Sequence, residues 1–132
     1  MIFQNAEQIN ANQYILHDYE FLTLMFSKEK QLVMRTKSEN GKEAIMVIFE
    51  ETISFEARMC DYWGPSPYIY DWSGSAGNRG EIYKRIQTET NGNGYSVDDM
   101  EKFMEICLTL SSGNQIRIVC QIAIIQAEEE KQ

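Results

Sequence analysis

Over much of the chain, apolar and polar residues alternate with a period of two, the spacing of extended strands whose side chains point to opposite faces. The pattern is clearest towards the end. Met104, Ile106, Leu108 and Leu110 alternate with Glu105, Cys107 and Thr109. After Ser111-Ser112-Gly113-Asn114, the residues Ile116, Ile118, Cys120, Ile122 and Ile124 alternate with Arg117, Val119, Gln121 and Ala123. This predicts a long β-hairpin around a Gly-containing turn, built from branched side chains that suit a pleated surface. Upstream, strands are predicted over Phe21–Phe26 and Gln31–Thr36, joined by the polar Ser27-Lys28-Glu29-Lys30. A turn at Ser38–Lys42 leads to a short apolar run, Ala44–Phe49, read as a buried strand. Ile53, Phe55 and Ala57 against Ser54, Glu56 and Arg58 predict a strand with one wet face.

Helical signals are few. Ser96, followed by Asp98 and Asp99, is a candidate N-cap for a short helix towards Met104, the alternative being a lead-in to the strand. The segment at about 64–94 holds six of the eight glycines and both prolines, so it is read as mostly loop, with one or two helical turns available at Glu81–Gln87. The tail Glu128–Gln132 is read as a frayed, solvated end. The predicted fold is mainly β: one domain over residues 1–132, as two packed antiparallel sheets or one strongly curled sheet, with at most one or two short helices.

Composition adds limits. A chain of 132 residues is long enough to bury a core without disulfides or metal. Its net charge of −8 opposes binding to nucleic acid or anionic lipid and suits a basic partner, or simply keeps the protein in solution. The opening Met1-Ile2-Phe3-Gln4-Asn5 lacks a basic leader region, and no run approaches membrane-spanning length. Three cysteines without CxxC spacing read as reduced thiols, and a cytoplasmic location is expected.

No catalytic constellation is legible. His17 is the only histidine, and in a strand its neighbour Asp18 points to the opposite face, so no dyad is expected. Cys60 stands beside Asp61, and an adjacent acid disfavours a thiolate. Gly74, Gly77 and Gly80 match neither GxxxxGK[ST] nor GxGxxG, and the adjacent carboxylates Glu50-Glu51 and Asp98-Asp99 have no supporting partners. No cofactor or metal is called for.

The most unusual stretch is Cys60–Trp72, which gathers Tyr62, Trp63, Tyr68, Tyr70 and Trp72 beside Asp61 and Asp71 around a Pro-stiffened turn. Tyr and Trp combine large rigid area with a polar handle and are enriched at binding hot spots. These seven residues either anchor a partner, the two acids facing its basic groups, or close one end of the sheet core.

The segment Leu16-His17-Asp18, the strand pair that follows, the apolar run ending at Phe49 and the closing hairpin around Ser111–Asn114 resemble a group of small bacterial β-rich proteins. Some of that group resemble immunity proteins of polymorphic toxin systems, which bind and block a cognate toxin. The similarity covers residues 14–60 and 103–126 and implies a non-enzymatic protein-binding module, with no catalytic residue to carry over. Two alternatives stand beside it: a small-molecule-binding or enzymatic β-domain with its ligand under the 64–94 segment, and a structural subunit of a larger assembly.

Overall fold

A computed structural model describes residues 1–128. Nine strands form two antiparallel sheets. The first sheet contains β1 (Ile2–Phe3), β2 (Glu20–Lys28), β3 (Gln31–Lys37), β4 (Ala44–Glu50) and β9 (Ile122–Ala127), in the order β1-β9-β4-β3-β2. The second contains β5 (Ser54–Arg58), β6 (Ile69–Ala76), β7 (Met104–Leu110) and β8 (Gln115–Cys120), in the order β5-β8-β7-β6. Both sheets supply one core. Leu32, Met34, Val47 and Phe49 of the first meet Ile69, Trp72, Ile106, Leu108, Ile116 and Ile118 of the second. The mainly β, two-sheet architecture is therefore as expected.

Three short helices accompany the sheets, one more than the at most two expected: α1 (Ala6–Ala11), α2 (Glu81–Glu89) and α3 (Val97–Met100). The Ser96 signal marks α3, whose capping box pairs Ser96 with Asp99 in both directions. Hydrogen bonding to Ser96, through its backbone N–H foremost and then its side chain, holds the Asp99 carboxyl below its usual range. No apolar periodicity announces α1, because Ile9 is its only buried residue; the Asn5 side chain, accepting from Gln8 N, caps it.

Three expectations are corrected. The 64–94 segment is not mostly loop: it contains β6, a 3₁₀ turn at Gly77–Arg79, and α2. Its glycines are built into these elements; a Cβ at Gly80, the N-cap of α2, would lie 2.6 Å from Glu105 Oε1. The hairpin's second strand does not continue to Ile124. It breaks at Gln121, whose N–H bonds Glu50 O, and the chain passes from β8 into β9 of the other sheet. The break costs one residue of phase, so Cys120 and Ala123 face the core while Ile122 and Ile124 turn outward and stay half-buried. Finally, Glu128 is no frayed end, since its N–H bonds Ala44 O and its carboxylate meets Arg35 Nε at 3.0 Å; the rest of the expected tail lies outside the described residues.

The outward face of the first sheet carries an apolar row through register partners on all five strands: Ile2, Ile124, Ile48, Val33 and Met25. The second sheet's outward face is covered at one end. There Ile82, Tyr83 and Ile86 of α2, with Met100 and Phe103, pack against Val119. The edge strand β5 is wetter than its alternation implies. Phe55 is exposed, its ring 5.7 Å from that of Phe26 on β2.

Candidate functional site

The chain leaves β5 at Arg58 and makes a tight turn over residues 59–64. Asp61 has φ 44° and Gly64 φ 85°, so the backbone enters the left-handed region twice. One buried side chain holds this conformation. The Asn114 amide oxygen accepts from Cys60 N at 2.6 Å and Asp61 N at 2.7 Å, while its Nδ2 donates to Asp61 Oδ1 at 2.8 Å. Trp63 N donates to Ser112 O at 3.0 Å, and the Cys60 thiol donates to Gly113 O at 3.6 Å. The turn is thus pinned along the β7–β8 connection. Gly113 is required there twice over, by its φ of 91° and because a Cβ would meet the Trp63 ring at 3.2 Å.

This scaffold displays aromatic surface. Trp63 is 83% exposed and Tyr62 67%, with Met59 beside them also open to solvent. Tyr68 lies at the same connection, its carbonyl accepting from Ser111 N. Tyr68 and Tyr70 alternate with buried Ile69 and face outward. Asp71 is half-buried and accepts from Gln13 Nε2 at 2.9 Å. Trp72 departs from the expectation of a partner contact: it is fully buried, donates through Nε1 to Asn12 O and packs its ring edge-on to Phe3 at 5.2 Å. Strand alternation and the bulge between Ile69 and Asp71 turn it into the core. The segment therefore both closes the core, through Trp72, and exposes aromatics, through Tyr62, Trp63, Tyr68 and Tyr70.

Tyr70 extends the aromatic surface to a second cluster. Its ring lies 6.2 Å from Tyr14 and 5.6 Å from His17, and Tyr14 is 6.1 Å from His17, all edge to face. His17 and Asp18 correct the expectation of opposed side chains. Residues 12–19 form successive turns rather than a strand, with Ile15 N on Asn12 O, His17 N on Tyr14 O and Tyr19 N on Leu16 O. Asp18, at φ 67°, brings its carboxylate to 3.4 Å from His17 Nε2. His17 Nδ1 is 2.7 Å from Tyr70 O, and a carbonyl can only accept, so this nitrogen carries a proton. The imidazole thereby ties the 12–19 turns to β6. Nearby, burial and the Glu43 carboxylate, which accepts from the Tyr19 hydroxyl, push the Tyr19 phenol above its ordinary value.

His17 does not meet a thiol. Cys60 contacts Gly113, whereas Cys107 and Cys120 are buried in β7 and β8. Burial pushes the Cys120 thiol up to about 12 and raises that of Cys107 as well. Among the described residues, no group of three or more His, Cys, Asp or Glu could hold a metal ion. No helix among the described residues is long and apolar enough to cross a membrane. Sequence reasoning missed Tyr14, Met59 and Asn114. For Asn114 a signal existed, since it lies in the Gly-containing turn, but turn composition does not reveal that its side chain reaches back 53 residues. Comparison with protein-family models, curated proteins and solved structures returned no match.

Proposed function

We propose that this chain is a non-enzymatic protein-binding module that docks a basic partner through the Trp63 turn and its neighbouring tyrosines, in the manner of an immunity protein neutralising a basic toxin. The observation that carries the reading is a tryptophan held 83% exposed on a turn fixed by a buried Asn114. An exposed Trp forgoes burial worth roughly 2–3 kcal/mol, which a fixed turn makes recoverable on binding with little entropic loss. The net charge of −8 steers a basic partner, and Asp18, Asp61 and Asp71 flank the aromatic surface.

The test is affinity measurement against a basic protein recovered with the chain by pull-down. Trp63→Ala should weaken binding by about 2 kcal/mol or more, roughly 30-fold, and raising salt should slow association. Unchanged affinity in the variant overturns the surface.

A second reading, a subunit of an assembly, is favoured by the row Ile2, Ile124, Ile48, Val33 and Met25 on the outward face of the first sheet, exposed at its two ends, Ile2 and Met25. Sizing chromatography tests it. On this reading wild type elutes as an oligomer and Ile48→Lys as a monomer; a monomeric wild type ends it.

A further inference from the structure

A polar cavity of about 660 Å³ lies on the outward face of the second sheet, next to the root of the Trp63 turn but lined by none of the turn's residues. Its floor is the β5–β8 pair, on which Glu56 is the register partner of Arg117 and Arg58 that of Gln115. Glu81 and Arg85, one helical turn apart on α2, form a wall. Three of the five arginines of a strongly acidic chain therefore meet in one concavity of ligand-binding size.

The charges within it do not balance. Arg85 pairs with Glu56. Arg117 Nη1 is 3.2 Å from Glu105 Oε2, and Lys84 Nζ is 3.4 Å from Glu81 Oε1. Arg58 is left with only the Gln115 amide oxygen at 3.4 Å, and no carboxylate lies within ion-pair distance of it among the described residues. Arg117 is also preset. Glu105, 2% exposed, accepts from Glu81 N at 3.0 Å and Ile82 N at 2.7 Å as well as from Arg117. It consumes the first amides of α2 and fixes one guanidinium nitrogen, leaving the other donors of Arg117 for a ligand.

We propose that this cavity binds a small carboxylate-bearing molecule, its carboxylate held between Arg58 and Arg117. One uncompensated guanidinium matches one negative charge, and the planar donor fork matches a carboxylate. Any donor group on the ligand meets Glu81 or the Gln115 amide oxygen. The site shares no lining residue with the protein-binding surface.

The test follows the arginine Nε–H signals in nitrogen-15 NMR, with acetate, glycine and inorganic phosphate as probes. Acetate and glycine should shift the Arg58 and Arg117 signals saturably while those of Arg35 and Arg79 stay in place. Arg58→Gln, at an exposed position without an ion pair, should keep the wild-type amide spectrum and weaken binding about tenfold or more. Trp63→Ala should bind the probes as wild type does. Uniform, unsaturable shifts, saturation by phosphate alone, or unchanged affinity in Arg58→Gln each overturn the proposal.

Discussion

Replacing Asn114 with alanine removes one buried amide that serves three hydrogen bonds at the root of the Trp63 turn. Two of them satisfy the N–H groups of Cys60 and Asp61. Both bonds are only partly buried, so water can replace part of what is lost, and each costs about 0.5–1 kcal/mol. The third is a charge-assisted bond to the Asp61 carboxylate, worth about 1.5 kcal/mol at the same partial exposure. Asn114 also stabilises the left-handed conformation of Asp61, which by itself is unfavourable. The expected destabilisation is about 3 kcal/mol. In urea unfolding with a slope of roughly 1.5 kcal/mol per M, the midpoint falls by about 2 M with the slope unchanged. Emission of the buried Trp72 reports the transition, because Trp63 is solvated throughout. Time-resolved anisotropy of Trp63 should show faster local motion in the native variant. Asn114→Asp, which keeps the acceptor oxygen but sets a second carboxyl against Asp61, should be intermediate in acid and worse at neutral pH. A midpoint shift below about 0.3 M, with Trp63 as rigid as before, would refute the pinning of the turn by this side chain.

The two tryptophans should separate under iodide quenching: Trp63→Phe removes the quenchable emission, whereas Trp72→Ala destabilises by about 3–5 kcal/mol. Cys107 and Cys120 have raised folded pKa values, so their contribution to stability is complete below the ordinary thiol value of 9.0 and is lost as pH rises, for Cys120 through about 12. Urea midpoints should therefore fall above pH 9 in wild type and fall less in Cys120→Ala. A native-state thiol assay should find Cys60 reacting well ahead of the other two. Asp99 has the opposite sign: its lowered pKa contributes stability above the ordinary carboxyl value of 3.8 that disappears as pH drops; Ser96→Ala, which keeps the dominant backbone N–H bond, should only reduce that acid-side slope, whereas Asp99→Asn should remove it. Glu105→Ala leaves Arg117 and the first turn of α2 without their partner; allowing for the partial exposure of Arg117, it should cost about 2–4 kcal/mol, read by urea unfolding.

Strand identity was set by the sequence alone, because period-two alternation is a local record of which face each residue shows. β5, β7 and β8 could be read this way, β2, β3 and β4 as short strand-forming runs between polar turns, and the Ser96–Asp99 cap from partners three residues apart. Concentration of aromatics between Cys60 and Trp72 was equally visible. Which of them faces water was decided by tertiary structure. Trp72 is buried because Asn12 and Phe3, from 60 or more residues away, enclose it, while Trp63 is exposed because Asn114 bends the chain outward. The break at Gln121 likewise answers to Glu50 O on another strand, and the glycines of 64–94 to close approaches such as that of Gly80 to Glu105. Local chemistry writes periodicity and caps into neighbouring residues. Burial and ion pairing depend on distant partners, which only the packed sheets bring within reach.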